Sequence, residues 1–216
     1  MNATVLKYKE TLLDFPLYIL SRPFKGFDEM KSENRGSMTY AMVILVLLGL
    51  VGIWQEMYLG FVVSGFWWDV QTANVVWILI FTYAPIGLVC LANWSITSVT
   101  NGNGKMREIF LVYCYALFPT IFLRMLGVAL SNFVTLNESA FVVFLFVFAQ
   151  VLLYFYIFLG WIVIHEYTFL RAVFTVILTI LAMLIIVFIM ALFVSLVSEF
   201  INFVYTIIYE IDAHLI

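Results

Sequence analysis

Five stretches, at 38–54, 72–94, 109–130, 140–164 and 172–198, run almost without charge, and Arg124 is the one ionisable cation inside them. A helix rises 1.5 Å per residue, so about 20 apolar residues cross a hydrocarbon layer about 30 Å thick. Each stretch is long enough, the first when it runs on to Tyr58. Inside lipid the backbone must satisfy its own hydrogen bonds, which selects helices. A chain that is 65% hydrophobic and 11% charged has no soluble core able to absorb that surface. The expected fold is an all-α integral membrane bundle of five transmembrane helices at 38–198, after a cytoplasmic interfacial segment, 1–37, and before a C-terminal amphipathic helix, 199–216.

Charge gives the expected orientation. Lys7, Lys9, Arg22, Lys25, Lys31 and Arg35 precede the first span, Lys105 and Arg107 sit in the second loop, and Arg171 in the fourth. The first loop, the third loop and the tail carry no Lys or Arg, whereas Glu56, Asp69, Glu138, Glu199, Glu210 and Asp212 fall there. Basic loops stay on the cytoplasmic side, so five spans put the N-terminus inside the cell (inner) membrane and the C-terminus outside. Trp54, Trp67, Trp68 and Trp77 mark the outer interface, Trp94 and Trp161 the inner one. The charges of 1–37, interrupted by Pro16 and Pro23, argue against a cleaved signal, so the first span inserts and stays.

Asn101-Gly102-Asn103-Gly104 reads as a turn, because Asn and Gly tolerate positive φ. Thr135 and Glu138 have capping-box spacing before the fourth span. In the tail, Ser195, Ser198, Glu199, Asn202, Thr206, Tyr209 and Glu210 recur every three or four residues among Phe200, Ile201, Phe203, Val204, Ile207 and Ile208. That pattern predicts an amphipathic helix, lying on the outer surface or prolonging span five. Residues 5–27 are too broken to span and too apolar to be a solvated tail, which leaves an interfacial segment or a partner-docking element.

Catalytic constellations are not visible: there is no Cys-x-x-Cys, no His-Glu-x-x-His, no Gly-x-Ser-x-Gly and no phosphate loop. His165 and His214 belong on opposite sides of the membrane, so they cannot share a metal. His165-Glu166 reads as a polar boundary, with proton relay as the sharper alternative. Cys90 and Cys114 read as packing residues. No cofactor, metal or nucleic-acid partner is expected. Arg124 needs an explanation, since a cation at depth costs at least about 2.5 kcal/mol unless paired or hydrated. The bland reading pairs it with Glu56, Glu138 or Glu199, or lets it snorkel; the sharp one makes it an anion contact in a cavity. Pro85 and Pro119, near the middle of antiparallel spans, read first as packing kinks, with freed backbone carbonyls lining a cavity as the sharper alternative, and Asn74 and Gln150 could line the same space or link helices.

Arg22 to Lys31 (Arg-Pro-Phe-Lys-Gly-Phe-Asp-Glu-Met-Lys), Asn93-Trp94-Ser95-Ile96-Thr97, Asn101 to Lys105, Tyr115 to Pro119, Leu130-Ser131-Asn132 and His165-Glu166-Tyr167 together resemble, in order, the bacterial branch of the Yip (Ypt-interacting protein) domain family. The resemblance covers about residue 16 to the end and implies five spans with a cytoplasmic N-terminal region. The eukaryotic branch, which acts in early secretory traffic with Rab-type GTPases, has a motif around Asp-Leu-Tyr-Gly-Pro that this chain lacks, so that role is not implied.

The expected function is therefore non-enzymatic: a membrane interaction or assembly protein. It would dock a membrane or cytoplasmic protein through Arg22, Pro23, Phe24, Lys25 and Phe27 with Asn101, Lys105 and Arg107. Self-association stays open. The alternative is a small permease, or an accessory subunit of a transporter, built around Arg124, Pro85, Pro119, Asn74 and Gln150.

Overall fold

A computed structural model describes residues 13–64 and 74–215, with side chains through Tyr209. Lys7, Lys9, Trp67, Trp68, Asp69 and the expected start of span two at 72 lie outside the described residues. The chain there is all helix and turn: α1 Phe15–Ser21, α2 Pro23–Ser32, α3 Met38–Tyr58, α4 Phe61–Ser64, α5 Val75–Thr100, α6 Met106–Ser131, α7 Ser139–His165 and α8 Phe169–Leu215. Five of these, α3, α5, α6, α7 and α8, are long and apolar enough to cross a bilayer. The molecule is a multi-pass membrane protein.

Helix α6 is the centre. It packs against α3, α5, α7 and α1, and Val112, Cys114, Ala116 and Val128 along it are at most 1% exposed. Its closest neighbour is α7. A Cβ on Gly160 would run into the side chain of Val112, and one on Gly127 into the Phe146 ring, so small residues set the separation here, as is usual between helices in lipid. The Thr120 hydroxyl donates to the Ala149 carbonyl across the same seam, 3.1 Å away.

A second pair is formed by α5 and α8, which run antiparallel. Arg171 reaches the Thr100 carbonyl at one end of the pair, and Asn93 Nδ2 donates to Thr179 Oγ1, 3.3 Å away, further along. Extending that register puts Val75, the first residue of α5, level with about Val197. Helix α8 has 47 residues and so measures about 70 Å at 1.5 Å per residue. It continues without a break for about 27 Å along its axis past that level. The tail is thus the prolongation of span five, one unbroken helix with it. Helix α3 braces both pairs, with Tyr83 of α5 donating to the Leu45 carbonyl at 2.9 Å.

The N-terminal segment folds into a helical hairpin. Pro16 and Pro23 stand in the first turns of α1 and α2, where the missing N–H is not needed and the fixed φ favours a helix start. These prolines begin helices and do not break them. Phe15, Ile19, Phe27 and Met30 from the hairpin enter the core. Phe15 meets Tyr115 edge-on at 5.5 Å, and Tyr115 stacks on Tyr40 at 4.3 Å. Tyr156 donates to the Leu20 carbonyl at 2.8 Å, and Lys31 Nζ donates to the Ile164 carbonyl at 2.8 Å. The hairpin therefore follows α7 for about eight residues, or about 12 Å.

Capping differs in detail from the sequence reading. Glu138 does hold Thr135, accepting from its N–H and its hydroxyl at 3.0 Å each, but this closes the turn before α7, whose first residue is Ser139. Asn101 adopts φ 52°, whereas neither Gly102 nor Gly104 has a positive φ. Those glycines serve close approach instead: a Cβ on Gly102 would strike the Tyr167 hydroxyl, and one on Gly104 would lie 2.5 Å from His165 Cε1.

Candidate functional site

Two places concentrate polar chemistry: a network at the basic end of the bundle and a slot inside the membrane domain. Arg22, Lys25, Lys31, Arg35, Lys105, Arg107 and Arg171 all belong to the basic end, in the hairpin, its link to α3 and the two loops beside it. His165, 2% exposed, organises it. Its Nδ1 accepts from the Gly104 N–H at 3.2 Å. That leaves Nε2 as the protonated nitrogen, donating to Asn93 Oδ1 at 3.0 Å. Asn93, fully buried, passes the chain on to Thr179, whose hydroxyl returns to the Thr175 carbonyl at 2.8 Å. Tyr167 stacks on the imidazole at 5.0 Å, and the Arg171 guanidinium lies 4.7 Å over the Tyr167 ring.

Glu166, at φ 57°, joins three elements outside this buried core. Lys31 binds it at 2.6 Å and Asn103 Nδ2 donates to it at 3.0 Å. The Lys31 hydrogen bond, then that of Asn103, hold its carboxyl below the ordinary 4.5. The imidazole is a structural member here, locked in one tautomer with both nitrogens used, and it has no acidic neighbour in hydrogen-bond contact through which to relay a proton.

The expected docking residues are not on one surface. Phe27 is fully buried and cannot be an anchor; its apolar ring is what fastens α2 to the core. Phe24 is 55% exposed, with Arg22 and Lys25 also exposed, but these three sit in the first turn of α2 beside Pro23, at the end of the hairpin nearer Tyr156. Asn101, Lys105 and Arg107 are exposed in the α5–α6 turn and the start of α6, and Arg107 leans toward the Gly36 carbonyl at 3.5 Å. What converges is the Lys31, Asn103 and Glu166 cluster.

Between the α6–α7 pair and the α5–α8 pair lies a cavity of about 750 Å³. Along α6 it runs from Tyr113 to Arg124 and along α7 from Gln150 to Trp161, about 16 Å in each case. Phe81, Tyr154 and Ile180 on its wall are each more than half exposed, so it opens sideways to the lipid. Arg124 Nη2 donates to Gln150 Oε1 at 3.2 Å. Among the described residues no carboxylate forms an ion pair with Arg124; of the expected partners, Glu56 and Glu138 lie at the ends of α3 and α7, and Glu199 lies within α8.

Pro85 and Gln150 line this cavity, and Pro119 and Asn74 do not. Asn74 instead caps α5, its Oδ1 accepting from the Val76 N–H at 3.0 Å. Helices α5 and α6 both continue through their prolines. Cys90 and Cys114 are buried free thiols. Sequence reasoning missed Asn93, Thr175, Thr179 and Trp161 as site residues. The signal was present in the first three, polar side chains spaced within otherwise apolar spans.

Compared with known proteins, the chain matches no family model, no curated protein and no solved structure.

Proposed function

We propose that this protein is a non-enzymatic membrane assembly subunit that holds a second protein against α8. The observation that carries this reading is the reach of α8 past the bundle. Its 47 residues exceed what a hydrocarbon layer of about 30 Å can cover. In the part beyond, Phe200, Phe203, Tyr205 and Ile208 are each at least 60% exposed, and a helix so apolar around most of its circumference is normally covered. The sequence of this part is acidic, with Glu199, Glu210 and Asp212, and no Lys or Arg follows Arg171. That charge disfavours settling on an anionic lipid surface and favours a partner with basic side chains beside apolar ones. Docking at the basic end through Arg22, Phe24 and Lys25, or through Asn101, Lys105 and Arg107, is the weaker surface because Phe27 is buried.

Photo-crosslinking groups at Phe203 and, as a lipid-facing control, Phe188 test the idea in native membranes. The expected product is one discrete protein adduct from Phe203, lost when Glu199→Lys reverses the charge. Lipid adducts alone from both positions would sink the reading, and an adduct of two copies would redirect it to self-association. A transport role is the second reading, favoured by the cavity; it requires solute flux through reconstituted protein that changes in α5 and α6 abolish.

A further inference from the structure

We infer that the slot between the two helix pairs is a binding site for an anionic amphiphile, its carboxylate or phosphate on Arg124 and its alkyl chain along the apolar wall toward Trp161. This is separate from the assembly role of α8.

The size, shape and chemistry of the slot agree on that class. About 750 Å³ is within the ordinary range for small-molecule sites, which are mostly apolar with a few placed polar groups. The long axis of about 16 Å suits an extended chain. The wall is largely Leu, Ile, Val and Phe, and the sideways opening past Phe81, Tyr154 and Ile180 admits a ligand that already resides in the bilayer.

The headgroup is specified by what the wall leaves unsatisfied. Arg124 carries five N–H donors and its hydrogen bond to Gln150 uses one. It sits seven residues from the end of α6 at Ser131, or about 10 Å, where an amphiphile's head would lie with its tail pointing inward. The Arg124 end asks for an anion, since an unpaired cation in lipid is costly. Two sources carry this chemistry, a free fatty acid and an anionic phospholipid.

Native mass spectrometry of the full chain, purified in a neutral detergent and stripped of lipid, distinguishes them. The probes are palmitate, phosphatidylglycerol and, as the uncharged-overall control, phosphatidylcholine. One anionic probe should bind saturably at one molecule per chain, and phosphatidylcholine at least tenfold more weakly. Arg124→Gln should weaken the preferred anion at least tenfold, and Arg124→Lys should restore most of it. Preference for palmitate assigns the free acid; preference for phosphatidylglycerol assigns the lipid. Should Arg124→Gln fail to fold, Val89→Phe, which fills the slot and keeps the cation, gives the decision by the same tenfold loss. Equal binding of all three probes, or binding untouched by both Arg124→Gln and Val89→Phe, overturns the inference.

Discussion

His165 shows how a residue type read alone can be ambiguous while its neighbours decide its role. A buried imidazole with an acceptor nitrogen facing an N–H and a donor nitrogen facing an amide oxygen is complete. The same holds for Asn93, which meets His165 on its oxygen and Thr179 on its nitrogen. Replacing Asn93 by Leu would leave the His165 N–H without its acceptor in a buried space, at a cost of about 1–3 kcal/mol, while the Thr179 hydroxyl keeps its bond to the Thr175 carbonyl. Asn93→Leu is therefore expected to lower the thermal unfolding midpoint markedly, whereas Ser95→Ala on the exposed face of the same helix changes it little; an unchanged midpoint for Asn93→Leu would show the network to be idle. The sequence offered these residues as a turn, a boundary pair and an Asn noted only within the Asn93 to Thr97 motif. Their meeting was not legible, because it requires the ends of α5, α6, α7 and α8 to be level, and no local pattern states that. Phe24 and Phe27 teach the converse: three residues apart on one short helix, they looked like a single anchor, yet α2 rotates one to the outside and the other into the core.

At the scale of elements, hydropathy located the first, third and fourth spans to within a few residues, because lipid demands length and apolarity from each helix independently of its neighbours; α5 ends six residues later than expected, at Thr100, and α8 runs on past 198 to Leu215. Hydropathy could not tell which helices pair. That depends on close approach, and the informative residues are Gly160 and Gly127 in the α6–α7 seam, invisible to a hydropathy scale. Gly160→Leu should force α7 away from Val112 and cost on the order of 1–3 kcal/mol, as overpacking does, while Gly87→Leu, where a Cβ meets nothing within 4 Å, should be tolerated. Unfolding of the two variants in mixed micelles makes the comparison; equal stability would mean that the seam relaxes freely. The hairpin was under-read for a different reason. Pro16 and Pro23 look like interruptions in a linear scan, and become helix starts once the orphan N–H groups of a first turn are considered.

The whole molecule has a basic end and an acidic end, and this polarity links the fold to a side of the membrane. Helix direction alternates through α3, α5, α6, α7 and α8, so the loops after α5 and α7 share one end with the hairpin, while the loop after α6 shares the other with the extension of α8. Lys31 at its contact with α7, Asn103 and Gly104 in the turn before α6 and Arg171 at the start of α8 are joined around Glu166, His165 and Tyr167, so they cannot be on different sides. Basic residues flanking spans are retained in the cytoplasm, and the acidic end has none to oppose them. Single cysteines in an otherwise Cys-free chain, probed in intact cells with a membrane-impermeant thiol reagent, should therefore react at Asn137 and Asp212 and be protected at Ser32, Lys105 and Phe169. The Cys90→Ala and Cys114→Ala background is expected to fold, since both thiols are packed and unbonded. Labelling of Asp212 together with Ser32 would require an even number of crossings and overturn the five-span reading; labelling of the reverse set would keep the five spans and invert the molecule, placing the α8 extension and its partner in the cytoplasm.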